Sequence, residues 1–229
     1  MQLSDDCWKL LNSVLEEWNK AEADLKIAEQ VAHKVVNPSI KELRYAGRRI
    51  VDSLLKARTA STAEHMSEIE SQLHDALFDC HRARHDAIDA GTSKIAIDLE
   101  IMTKKLGYEV ILPIYPEFPK LYKELRLVRA KIIASRRDRS SREAIYSVIE
   151  ATDFPNLVRS YNLLMENEEM MKSMARRRRR SELCGIIGTI VGVIGVILAV
   201  IFWYYPHDSS ASANTPSLAE KPGAVRPRQ

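Results

Sequence analysis

The chain has 229 residues, with 34 lysines and arginines against 31 acidic residues and a formal net charge of +3. Its 8 glycines, 9 prolines and 3 scattered cysteines argue against a disulfide framework or a zinc site and favour long helices over a sheet. The opening stretch MQLSDDCWKLL carries two aspartates and no basic run ahead of an apolar core, so a signal peptide is not expected there.

In chain order, Trp8, Leu11, Leu15, Trp18, Ala21 and Leu25 recur at helical spacing and predict a first helix, capped by Ser4, with that face buried and an end near Val36. Asn37 followed by Pro38 predicts a restart, with Asn37 as cap and Ile40, Leu43, Gly47, Ile50 and Leu54 as the buried stripe. Ser61 to Glu64 (STAE) reads as a capping box opening a third helix. Its stripe is Met66, Ile69, Leu73, Leu77, Cys80, Ala87, Ile88, Ile95, Leu99 and Met102; Gly91 and Thr92 mark a kink and Gly107 stops it. YEVILPIYPEFP reads as a proline-broken connection. A fourth helix begins near Pro119, with Leu121, Leu125, Val128 and Ile132 inward, and breaks at SRRDRSSRE. Asp153 caps a fifth, which continues towards the C-terminus. The fold class is all-α: an antiparallel helical bundle followed by a C-terminal transmembrane helix.

Leu183 to Trp203 is free of charge, and as a helix it is about 30 Å long, the thickness of a bilayer core. Arg176, Arg177, Arg178, Arg179 and Arg180 precede it, and Phe202, Trp203, Tyr204 and Tyr205 close it as an aromatic belt would. The expected organisation is a cytosolic bundle over 1–175, an arginine run over 176–182, a transmembrane helix over 183–205 and a disordered exterior tail over 206–229. The excess of positive charge before the span places the N-terminal domain in the cytoplasm. Gly185, Gly188, Gly192, Gly195 and Ala199 fall on one face of this helix. Small residues let helices approach closely in lipid, so the seam predicts a homo-oligomer through the membrane helix. Thr189 falls off the seam, so no aqueous pore is expected from this helix alone.

No phosphate-binding loop, dinucleotide fingerprint, nucleophile elbow or zinc-protease motif occurs, and no catalytic residue, cofactor or metal is assigned. His81, His85 and Asp89 share a helix edge and could hold a metal, but their angles place them on the polar side of the stripe, so a solvated edge is expected. Arg84 falls within the apolar stripe, where a buried guanidinium needs a carboxylate or an anionic ligand unless it snorkels past the core. Arg126, Arg129, Lys131, Arg136, Arg137, Arg139 and Arg142 lie close together in sequence, opposed only by Asp138. They read as a solvated basic face or a contact with anionic lipid, or else as a dock for a polyanion; Arg136, Arg137, Arg139 and Arg142, with the arginine run, are its candidate residues.

This plan resembles the small membrane effectors of bacterial antiphage systems, in particular a retron-associated transmembrane protein. ELRYAGRRIVDSLLKA and DALFDCHRARHDAIDA are similar to helices of HEPN-type bundles found in such systems. The resemblance implies an inner-membrane toxin, silenced by a reverse transcriptase–nucleic acid complex, that disrupts the membrane on infection and causes abortive infection. A membrane-tethered helical scaffold or adaptor is the alternative, though Pro155 interrupts a long zippering coil of the SNARE type. A HEPN-like ribonuclease is a second alternative, on the spacing of Arg58 and His65, with a helix boundary between them.

Overall fold

The computed structural model describes residues 3–59, 62–138 and 140–204. Among them the regular elements are helices and no strand occurs. They are α1 (Asp5–Ala32), α2 (Asn37–Ala57), α3 (Ala63–Leu106), α4 (Tyr108–Ile114), α5 (Phe118–Arg137), α6 (Arg142–Val148), a π-helical turn (Ile149–Asp153), α7 (Phe154–Glu166) and α8 (Glu168–Tyr204). The chain divides into two compact units, Met1–Arg177 and Arg178–Gln229.

In the first unit α3 is the mast. At roughly 1.5 Å per residue it is about 66 Å long, and α1 and α2 each run along it while touching one another little. Ser4 caps α1 by accepting from the Cys7 backbone N–H at 3.2 Å. The helix ends sooner than expected, at Ala32, because His33 turns into the left-handed region at φ 49°. Glu29 then accepts the Val36 N–H at 3.2 Å and closes the turn. Asn37 lies inside α2 and Val36 is the residue before it; Pro38 sits at the helix start, where a missing N–H costs nothing. Thr62 caps α3 through its hydroxyl; Ser61, expected to begin that cap, lies outside the described residues. Gly91 and Thr92 produce no break in α3. A Cβ at Gly91 would sit 2.8 Å from Cζ of Phe154, so the glycine provides close approach of α7 rather than a kink.

The buried face of α1 differs from expectation. Cys7, Val14, Ala21, Leu25, Ala28 and Val31 are buried, whereas Trp8 is 46% and Leu15 58% exposed. Small residues at 21 and 28 let α1 lie close on Ala76, Cys80 and Ala83 of α3, and the indole of Trp18 packs at the edge of that seam, over Gly47 of α2. The α2 stripe is likewise rotated: Leu43, Ala46 and Ala57 are buried and Ile40 is exposed. Polar contacts fix its register on α3. The Ser39 hydroxyl donates to the Ala83 carbonyl at 2.7 Å, and Arg49 reaches Asp75 at 2.5 Å and Asp79 at 2.8 Å.

The larger core lies along the C-terminal half of α3. Ile88, Ile95 and Leu99 meet Val110 and Ile111 of α4, Leu121, Leu125, Val128 and Ile132 of α5, Tyr146 and Ile149, and Phe154, Leu157 and Leu164 of α7. The stretch expected as a loop forms the short α4 instead, after Gly107 turns the chain at φ 77°. Asp153 does not cap α7 with its side chain; it lies in the π turn and accepts from Lys131 at 2.5 Å. Met171 and Ala175, at the start of α8, belong to this core.

The second unit begins at Arg178. Within it α8 continues to Tyr204 and carries an apolar segment long enough to cross a membrane, none of it buried.

Candidate functional site: a buried arginine, a basic face and an exposed apolar helix

Arg84 is 1% exposed and stands where α1, α3, α6 and the π turn converge. The apolar stripe of α3 carries it inward, because it shares that face with Leu77 and Ile88. Its Nη1 lies 2.8 Å from Glu17 Oε2 of α1, as an ionic contact rather than a directed hydrogen bond, and 2.9 Å from Glu150 Oε2 of the π turn. Its Nη2 donates to Glu143 Oε1 of α6. One guanidinium therefore holds three carboxylates from three elements, as its forked donors allow and a lysine's point charge would not. The surplus negative charge is met on the exposed side by Lys20, 2.6 Å from Glu17 Oε1.

Both histidines join this cluster. His81 Nδ1 lies 3.2 Å from Glu17 and 3.3 Å from Glu143; His85 Nε2 lies 3.3 Å from the other oxygen of Glu143. His85 is buried and stacks on Tyr146 at 3.7 Å. The Tyr146 hydroxyl donates to Asp89 at 2.7 Å, and Arg136 reaches the same carboxylate at 2.7 Å. The expected solvated edge of His81, His85 and Asp89 is thus a partly buried network, with only His85 fully buried, because α6 and the π turn pack over that side of α3.

The electrostatics follow from burial and charge. Burial pushes the Glu143 carboxyl upward, but the His81 and His85 imidazoles and the Arg84 charge outweigh it and hold it well below the usual carboxylate range. Burial lowers His85, against the pull of Glu143. Asp24, buried on α1 one heptad after Glu17, is pushed up to about 7 by burial, with Glu150 and Glu17 adding to the rise and Arg84 opposing it.

Donor atoms of Glu17, His81 and Glu143 all lie within 4.8 Å of one another, which would suit a metal ion. That space already holds a cation. The Arg84 guanidinium contacts both carboxylates, and its Nη2 is 3.4 Å from His81 Nδ1. A divalent ion placed there would be repelled by the guanidinium at close range. The donors fit the guanidinium and do not fit a metal beside it. Glu17, Asp24, Glu143 and Glu150 were not singled out from the sequence; the one signal was Glu17 and Asp24, a heptad apart on the edge of the α1 stripe.

The basic residues of α5 and α6 differ in their partners and exposure. Arg136 is engaged by Asp89, and the half-buried Arg142 lies over the Tyr146 ring, 5.8 Å from its centroid. Arg137 is exposed, and Arg139 lies outside the described residues. Arg126 and Arg129 are exposed on α5. Arg58 and His65 are exposed on either side of the α2–α3 turn and join no cluster with the buried charges.

On α8, Arg176, Arg177, Arg178, Arg179 and Arg180 are exposed, with Arg178 donating to Glu182 at 3.0 Å. Gly185, Gly188, Gly192 and Gly195 share a face with Ala199, and a Cβ built on any of the four glycines would meet nothing within 4 Å. The Thr189 hydroxyl donates to the Gly185 carbonyl at 2.9 Å, which satisfies it within the helix. No family model matches the chain, and neither a curated protein nor a solved structure matches it.

Proposed function

We propose that the protein is a membrane-anchored helical effector whose apolar helix crosses the bacterial inner membrane, self-associates through its glycine face and disrupts the bilayer when activated. On this reading it belongs to antiphage defence, the N-terminal bundle is cytoplasmic, and a partner bound to the bundle restrains it; a reverse transcriptase–nucleic acid complex is the restraint proposed from the sequence resemblance. One observation carries the reading most directly. The apolar segment of α8 is exposed throughout, and Gly185, Gly188, Gly192, Gly195 and Ala199 give one of its faces no side chain large enough to hold a second backbone away. A helix that served only to anchor would need hydrophobic length and no such face.

Gly188→Leu and Gly192→Leu test this reading. Leucine is more apolar than glycine, so insertion should persist, while close helix contact is lost. Both variants should reach the membrane yet yield no crosslinked oligomers and no depolarisation of cells expressing them. Inserted, fully depolarising variants would sink the proposal; depolarisation in neither wild type nor variants would leave a tether or adaptor as the function.

A further inference from the structure

Away from Arg84, one surface of the bundle interleaves charge with apolar side chains although the core does not require it. Tyr122, Arg126, Arg129, Ile133 and Arg137 succeed one another on α5 at steps of four or three residues, and all are exposed. They form a single helical row about 22 Å long. Across from it on α3, Ile97 and Ile101 lie one turn apart and are 53% and 43% exposed. A shallow cleft between the helices is lined by Ala96, Ile97, Leu125, Tyr122, Arg126 and Arg129. Glu100 also lines it, but its carboxylate is engaged by Lys104 at 2.6 Å. Among the described residues no carboxylate lies at ion-pair distance from Arg126, Arg129 or Arg137, in contrast to Arg136 on the same helix, which Asp89 holds at 2.7 Å.

We propose that this face of α3 and α5 docks on an anionic bilayer surface. Guanidinium groups pair with phosphate oxygens in a forked geometry. Exposed isoleucines between them gain nothing beside a phosphodiester backbone, whereas at the headgroup boundary they leave water for acyl chains. Guanidinium groups beside exposed apolar side chains on one surface suit the headgroup boundary, where the charges meet lipid phosphates and the apolar groups reach the acyl chains. Nucleic-acid recognition would favour aromatic platforms, and Tyr122 is the only aromatic of the row. The chain also carries an apolar helix of membrane-crossing length, so a bilayer is a surface it is equipped to meet.

The test uses the full chain held in zwitterionic nanodiscs, mixed with vesicles of phosphatidylcholine alone or blended with phosphatidylglycerol, and separated by flotation. Wild type should float only with the anionic vesicles, and high salt should release it. The R126Q/R129Q/R137Q variant, which keeps all five arginines at 176–180, should bind on the order of a hundredfold more weakly. I97S/I133S keeps every charge and should still lose roughly tenfold or more. All these side chains are exposed, so helicity and Tm should match wild type. Wild-type flotation by both variants would overturn the proposal and assign binding to the arginine run. Loss with the charge variant alone, together with displacement of vesicles by an RNA–DNA hybrid, would also overturn it and make the face a polyanion dock.

Discussion

Replacing Arg84 with methionine keeps most of the side-chain volume and removes the one charge that Glu17, Glu143 and Glu150 share. Stranding a buried ion-pair partner costs roughly 3–5 kcal/mol. Two features place the expected loss at the lower end. The Glu143 side chain is 44% exposed and partly screened by water, and Lys20 remains beside Glu17. A loss of about 3 kcal/mol in a unit of this size lowers Tm by about 6–12 °C, measurable by near-ultraviolet circular dichroism on the full chain in nanodiscs. The deficit should depend on pH. In wild type Glu143 has a depressed pKa, so its stabilisation is present above the ordinary carboxylate value of 4.5 and is lost as the pH falls below it. In the variant Glu143 keeps its burial but loses the guanidinium charge that helped lower it, so the deficit against wild type is largest at neutral pH and shrinks on acidification. The two curves should draw together progressively below pH 4.5, as the pH falls towards the depressed folded-state pKa of Glu143. Arg84→Lys, which restores charge without the fork, should fall between them. Equal Tm for wild type and Arg84→Met at neutral pH, or a deficit unchanged at acid pH, would refute the assignment of Arg84 as the charge that holds these elements together.

Asp24→Asn should stabilise the fold increasingly with pH: a carboxyl raised from 3.8 to about 7 costs nothing below its ordinary value and at most about 4 kcal/mol above pH 7. Parallel Tm curves for wild type and Asp24→Asn from acid to neutral pH would contradict this. Gly91→Ala should destabilise by about 1 kcal/mol, overpacking against Phe154 exceeding the gain in helix propensity; Phe154→Leu should cost less in that background than alone, and additive losses would show that the ring is not the obstacle. If the positive residues before Leu183 orient the span, a reporter fused at Gln229 should behave as translocated, and a cytoplasmic signal there would reverse the topology.

Helix existence was legible because the apolar period survives local irregularity: the stripe of α3 from Ile69 to Met102 is buried except for the half-buried Leu77, and that of α5 from Leu121 to Ile132 is buried as its spacing requires. The phase of α1 was not. Its tryptophans and leucines dominate a reading weighted by hydrophobicity, yet close packing on α3 selects the small residues Ala21 and Ala28 and leaves Trp8 and Leu15 outside. A sequence shows how apolar each face is; which face fits is set by the shape of a neighbour distant in the chain. The same limit applied to the histidines, whose polar edge became partly buried only because α6 and the π turn cover it.

Arg84 was legible as a problem and its solution was not. Its helical angle called for a partner or for snorkelling past the core, and the partners found stand 67, 59 and 66 residues away along the chain, on elements whose packing no local pattern fixes. That separation has a physical consequence. Apolar contacts such as those of Ile149 fix the register of the π turn on α3 less narrowly than directed polar contacts do, and Tyr146 adds one such contact by donating to Asp89. The guanidinium admits one register, in which Glu143 and Glu150 both reach it while Glu17 arrives from α1. Buried ion pairs contribute little net stability over an apolar equivalent but strongly disfavour mispaired arrangements. A role for the cluster in specificity rather than net stability makes a distinct prediction. Replacing Arg84 and its three carboxylates together with apolar residues should leave Tm little changed while broadening the α6 resonances, whereas loss of Arg84 alone costs stability outright.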